Sequence, residues 1–192
     1  MAFDFERLLD ESVKIHGHLC AGQVLGVKMS ILGLSLVGIF DPKGIDRKDI
    51  IVYVEIDRCA TDAIQSVTGC SLGHRSMKFM DYGIMAATFL NLKTRTAVRV
   101  IAREDARDKA AHYSGIANPY EAQLMAYKQM PNEELFYTMP VTVNVPPEDM
   151  PGRPIKRIQC ARCGDYVQDM RHVGIDGQDV CKACAFGGYY SK

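Results

Sequence analysis

Two C-x-x-C pairs near one end, Cys160-x2-Cys163 and Cys181-x2-Cys184, constrain this 192-residue chain more than any other feature. Each pair bends the backbone into a knuckle where two thiolates converge. The seventeen residues between the pairs leave room for a hairpin that returns the second pair to the first. Gly164, and the connection from Gly174 to Gly177, supply turn residues for that path. A segment of about forty residues buries too little apolar surface to fold alone. A structural zinc is therefore expected on Cys160, Cys163, Cys181 and Cys184. Two disulfides, or a redox pair of free thiols, are the alternatives. His172 lies between the pairs, but four thiolates already complete the coordination, and a closed site of this kind is not expected to be catalytic.

The remaining cysteines, Cys20, Cys59 and Cys70, are scattered through the first half of the chain beside histidines. The chain opens on the acidic, amphipathic Met1-Ala2-Phe3-Asp4-Phe5-Glu6, with no basic and apolar leader pattern, so a cytoplasmic location is expected. In that reducing compartment such cysteines mean metal or catalysis. Lysine plus arginine equals aspartate plus glutamate at 23 each, so no global field draws the chain to nucleic acid or to an anionic membrane. From Met150 onward, seven Lys/Arg stand against four Asp/Glu, an excess that would allow contact with nucleic acid or an acidic protein without requiring it. The apolar stretch from Ala21 to Phe40 raises the question of a membrane span. It carries Gln23, Lys28, Ser30, Ser35 and four glycines, and a buried core helix is expected instead.

Periodicity predicts helices from Phe3 to Ile15 and from about Gly22 to Leu36, where Gly22, Gly26 and Gly33 would let another backbone come close. Ile50 to Ile56 reads as a strand ending just before Cys59, and Thr61 or Asp62 could cap a short helix that Gly69 stops. Gly83 to Leu90 and Thr96 to Ala102 predict a β-hairpin, followed by helices near Glu104 to His112 and Pro119 to Met130, with Pro131 also suited to a first helical turn. Val141 to Val145 alternates like a last strand, after which a proline-rich run from Pro146 to Pro154 marks the boundary between residues 1–147 and a zinc-binding segment, 155–192. The fold class expected is α+β, a mixed helix and antiparallel-sheet body with a small zinc-ribbon or treble-clef-like module.

Within the body, His16-Gly17-His18-Leu19-Cys20 places two imidazoles and a thiol at the junction of two helices. Cys59-Ala60-Thr61-Asp62 lies where a strand gives way to a helix, and Gly69-Cys70-Ser71-Leu72-Gly73-His74 lies in a glycine-flanked loop. If these segments converge, His16, His18, Cys20, Cys59 and Cys70 offer a second set of metal ligands, with His18, Cys20, Cys59 and Asp62 as candidate catalytic groups. A helix N-terminus would lower the pKa of Cys59 or Cys20, and Asp62 could orient a histidine or act as a general base. The plain alternative is that each lone cysteine is a small buried hydrophobe. His112 reads as an exposed or capping residue of its helix.

His16-Gly17-His18-x-Cys20-x-Gly22, then Cys59-x-x-Asp62-Ala63-Ile64-Gln65, Thr68-Gly69-Cys70-x-x-Gly73 and Asp81-Tyr82-Gly83, resembles the FmdE family, named for a protein encoded beside molybdenum formylmethanofuran dehydrogenase. The similarity is close over about residues 10 to 100, and some family members also carry a C-terminal zinc module. It departs at Ala21, where many members have proline, and at His74. The resemblance implies an α+β domain, commonly a homodimer, with the His/Cys/Asp residues gathered in a metal-binding or active-site cleft.

On that basis a soluble metalloprotein is expected, with zinc in the tail and a second transition metal in the body. Such a body site could activate water or bind a sulfur-containing or one-carbon substrate. An accessory role beside a molybdenum or tungsten oxidoreductase fits equally, and whether the chain is an enzyme stays open. The competing expectation is a dimeric binding or regulatory module whose zinc tail docks on protein or nucleic acid.

Overall fold

An apolar helix stitched by glycine to its neighbours organises the body. The computed structural model describes residues 3–191, so Met1 and Ala2 of the opening stretch and Lys192 lie outside the described residues. The chain divides into two compact units, Met1–Val143 and Asn144–Lys192.

In the first unit, α1 (Phe5–His16) starts at Asp4, whose carboxylate accepts from the Arg7 amide, and ends at Gly17 in the left-handed region at φ 95°. Helix α2 (Ala21–Leu36) is apolar all round, as a helix enclosed by others must be. It packs against α1, against α3 (Cys59–Thr68), against α5 (Pro119–Gln129) and against the sheet. The glycines do what their spacing predicts. A Cβ on Gly26 would lie 2.5 Å from the Ala60 carbonyl oxygen and 2.6 Å from Ala63 Cβ, and one on Gly33 would enter the ring of Phe89.

The sheet has the order β2-β1-β3-β4-β5, built from β1 (Ile50–Val54), β2 (Met77–Phe79), β3 (Ala86–Asn91), β4 (Ala97–Ala102) and β5 (Phe136–Val141). β1 to β3, β3 to β4 and β4 to β5 are antiparallel, whereas β2 runs parallel to β1. Ile50, Val52, Val54, Phe89, Val98 and Val100 join Val24, Val27, Met29 and Leu34 of α2 in one core. Between β4 and β5 lie α4 (Asp105–Ser114), α5 and the single turn α6 (Asn132–Leu135), for which Pro131 is the N-cap.

Three elements depart from expectation. The last strand is Phe136–Val141, not Val141 to Val145, and its Pro140 is tolerated because β5 is a sheet edge. The three-residue β2, too short for alternation to show, is additional. Helix α3 begins at Cys59 behind Arg58, with no side-chain cap, because Thr61 Oγ1 donates back to the Ile56 carbonyl at 2.6 Å and Asp62 is engaged elsewhere.

The second unit holds two hairpins, β6 (Arg157–Gln159) with β7 (Tyr166–Gln168) and β8 (Val173–Ile175) with β9 (Gln178–Val180), followed by α7 (Lys182–Phe186). The first knuckle follows β6, and the second cysteine pair opens α7. This is an α+β chain whose four-cysteine cluster suits a small zinc module. Among the described residues, no helix is long and apolar enough to cross a membrane.

Candidate metal centres

Three helix termini meet in the body. Gly17 turns the chain out of α1, leaving His16 on the last helical residue, while Cys20 is the N-cap of α2 and Cys59 the first residue of α3. A ring nitrogen of His16 and the Sγ atoms of Cys20 and Cys59 all lie within 4.8 Å of one another. His16 Nδ1 is 2.8 Å from Asp62 Oδ2. A carboxylate can only accept, so Nδ1 carries the proton and the neutral ring keeps its lone pair on Nε2. That Nε2 is buried and has no hydrogen-bond partner.

A buried chain of polar groups sets this junction. Ser12 Oγ of α1 donates to Gln23 Oε1 of α2, and Gln23 Nε2 donates to the Cys59 carbonyl at 2.6 Å. Both Ser12 and Gln23 are fully buried. Gln23 is the residue that pattern reading passed over, though a lone amide in an apolar helix was its signal.

The other expected residues fall outside the trio. His18 is exposed, with its ring centroid 4.5 Å from that of His16, which places it at the rim. Cys70 sits in the hydrophobic core at 1% exposure and does not join the group. His74 and His112 are exposed.

The Cys59 thiol does not have the lowered pKa that a helix N-terminus alone suggests. Burial, and then the hydrogen bond and charge of the neighbouring Cys20, push it up. A raised folded pKa favours the protonated form. Its contribution to stability is therefore complete below the ordinary thiol value of 9.0 and is lost as pH rises through the shifted value. Metal-free protein should accordingly lose melting temperature with alkalinisation above about pH 9, and Cys59→Ala should flatten that decline in a thermal-shift series.

In the second unit the four Sγ atoms of Cys160, Cys163, Cys181 and Cys184 lie within 4.8 Å of one another. Backbone amides point at the sulfurs: Cys181 N–H donates to Cys160 Sγ at 3.2 Å and Cys184 N–H to Cys181 Sγ at 3.3 Å. Amides of Cys163 and Cys181 hold Cys160 down at about 6, so one thiolate forms readily. Cys163, although the Asp165 amide draws it down, is pushed up to about 12 by burial and by the Cys160 thiol and Asp165 carboxylate. Such a crowd of sulfurs can all ionise only around a cation, and four thiolates form a closed tetrahedral set. His172 stands apart, with Nε2 3.5 Å from Asp179 Oδ1.

The donor sets differ in kind. One nitrogen and two sulfurs leave a coordination position open for water or substrate, and Asp62 behind His16 is the carboxylate–histidine arrangement that fixes a ligand's tautomer. A soft or borderline divalent ion fits both sets.

The family model described as "FmdE, Molybdenum formylmethanofuran dehydrogenase operon" matches residues 15–137. A curated protein of Archaeoglobus fulgidus, named a probable S-adenosyl-L-methionine-binding protein, is 38% identical over 95 residues, which cover 49% of this chain. The chain spans only about a quarter of that relative's length, 26%. A solved structure, an FmdE-like protein of tungsten formylmethanofuran dehydrogenase from Syntrophus aciditrophicus, superposes with a TM-score of 0.64 at 17% identity, over 99% of this chain and 96% of that one. At that identity the likeness concerns the fold.

Proposed function

This chain belongs to the FmdE family, and from that premise we propose that it is a metalloprotein whose body holds a transition metal on His16, Cys20 and Cys59 while its four late cysteines hold a structural zinc. The observation that carries the reading is the buried, unpartnered Nε2 of His16, on a ring fixed by Asp62 at 2.8 Å. Burying a polar nitrogen without a partner costs roughly 1–3 kcal/mol, and a cation beside the two thiols removes that cost. When bound, the metal would supply Lewis acidity at its open position. His18 at the rim is placed to exchange a proton with whatever binds there. The family's molybdenum operon supports a place beside an oxidoreductase, with the body domain presenting a metal-bound small molecule or handing on the metal itself.

Elemental analysis of the purified full chain tests this. Two metal ions per chain are expected in the wild type and one in Cys59→Ser or His16→Ala. Asp62→Asn should retain both while weakening the body ion about 10–100-fold in a chelator competition. A wild-type chain that holds a single ion, insensitive to Cys59→Ser, overturns the body site.

A further inference from the structure

A cavity of about 110 Å3 opens beside the helix junction. Gly22 forms part of its wall and also abuts the thiols, since a Cβ there would stand 3.0 Å from Cys59 Cβ and 3.7 Å from Cys20 Sγ. One side of the cavity is apolar, made by Leu25, Met85 and Ala102, and the opposite side carries hydrogen-bond donors. The volume suits a molecule of a few heavy atoms, well below the usual range of about 300–1,000 Å3 for drug-sized ligands.

Tyr127 is the most telling of these donors, because it is only 3% exposed. Its phenol oxygen accepts a hydrogen bond from Gln123 Nε2 at 2.9 Å, and Arg107 is close enough to offer a second. With the oxygen occupied as an acceptor, the phenolic hydrogen is left for an acceptor inside the cavity. Burial raises the pKa of this phenol, so it keeps its proton at neutral pH.

The two guanidinium groups are not equivalent. Arg103 binds Asp105 through Nε and Nη2 at 3.0 and 3.1 Å, so its charge is matched. Among the described residues Arg107 has only Glu104 as an acidic neighbour, at 3.9 Å, beyond hydrogen-bond reach. Glu104 is the one acid on the lining and is 82% exposed, where water screens it. The first turn of α2, whose Ala21 and Gly22 line the cavity, has no side-chain cap. Its amides therefore add positive potential on the same side.

We propose that this cavity binds a small organic carboxylate, its oxygens on Tyr127 and Arg107 and its short alkyl end against Leu25 and Met85. The proposal rests on the metal reading only for what lies beyond Gly22, where a bound molecule would adjoin the His16, Cys20 and Cys59 centre. A charged acceptor of this geometry satisfies the phenol and the unmatched guanidinium together, whereas a cation of equal size would meet only donors.

Saturation-transfer NMR on the methyl signal of propionate, added to the full-length protein, tests it, with ethylammonium as the size-matched cation. Saturable propionate binding is expected, absent for ethylammonium and weakened at least about tenfold in both Tyr127→Phe and Arg107→Gln. The Arg107 side chain is exposed, so that variant folds even if the Tyr127 variant is perturbed. No saturable signal from propionate, equal signals from the two probes, or unchanged affinity in Arg107→Gln each overturns the subsite. Metal content measured on the same samples separates this from the metal reading. A body ion present without propionate binding removes the subsite alone, and propionate binding that depends on Arg107 in a chain lacking the body ion removes the metal alone.

Discussion

The Cys160→Ser variant is expected to lose the metal of the C-terminal unit and, with it, that unit's fold, while the body keeps its cooperative thermal transition. The strands of the unit are three residues long and its helix five. Among its described residues, only Cys160 itself and Val180 are buried hydrophobics. Two buried side chains supply only a few kcal/mol, far below the ordering cost of about 1–2 kcal/mol for each backbone residue fixed. A structural zinc in a site of this type supplies about 10–16 kcal/mol at neutral pH, so nearly all of the unit's stability passes through four sulfurs. Serine removes one of them and also the acceptor of the Cys181 amide. Metal content should fall by one ion per chain, and amide hydrogen exchange over residues 156–186 should become fast. Calorimetry of the same sample should still show the body's transition. Retained exchange protection in the metal-depleted variant would sink this account.

Gly26→Val should be the most damaging single change in the body. A valine Cβ at that position meets the Ala60 carbonyl oxygen at 2.5 Å and Ala60 Cα at 2.9 Å, and backbone cannot swing away as a flexible side chain can. Helices α2 and α3 must part, at a cost of about 3 kcal/mol or more, which is roughly 10 °C in melting temperature for a domain of this size. Cys20 stands on one of these helices and Cys59 on the other, so the parting also widens the sulfur pair. The variant should therefore lose affinity for the body metal even at temperatures where it remains folded. Gly38→Ala is a useful comparison, since nothing lies within 4 Å of a Cβ there and its φ of 72° confines the penalty to local strain. Equal metal affinity in Gly26→Val and wild type would show that the helix spacing does not set the site.

Much of this was legible in the chain because it rests on local rules. The helix ends at Gly17 and Gly69 follow from the left-handed conformation that ends a helix, and both are in that region. The close approach at Gly22 and Gly26 follows from glycine in an apolar helix, and the four-cysteine cluster from spacing. What escaped depends on tertiary partners. Alternation alone put the last strand at Val141 to Val145. The neighbour that selects Phe136–Val141 is β4, and a sequence does not display which edge it leaves open. Asp62 reads as a helix cap because aspartate commonly is one. Its partner His16 is 46 positions away, so the carboxylate's real task is invisible locally. Cys70 carries the same glycine-flanked signature as the others, and only burial at 1% distinguishes it as core. The Cys59 thiol shows the same limit, since a helix N-terminus is local information while the neighbouring Cys20 is not.

The ending of α1 has a kinetic consequence. His16 occupies the last residue of that helix, held by the hydrogen bond from the Gly17 amide to the Val13 carbonyl at 2.7 Å, while Cys20 and Cys59 stand on the first turns of helices anchored in the core. Helix ends open far more often than helix middles. An ion held by the three side chains would therefore depart in steps, imidazole first, each time the last turn of α1 unwinds, with the two sulfurs keeping hold long enough for rebinding. Residence time would then be governed by the fraying rate of one helical turn, and an acceptor protein that seizes the imidazole-free intermediate could draw the ion off much faster than dilution does.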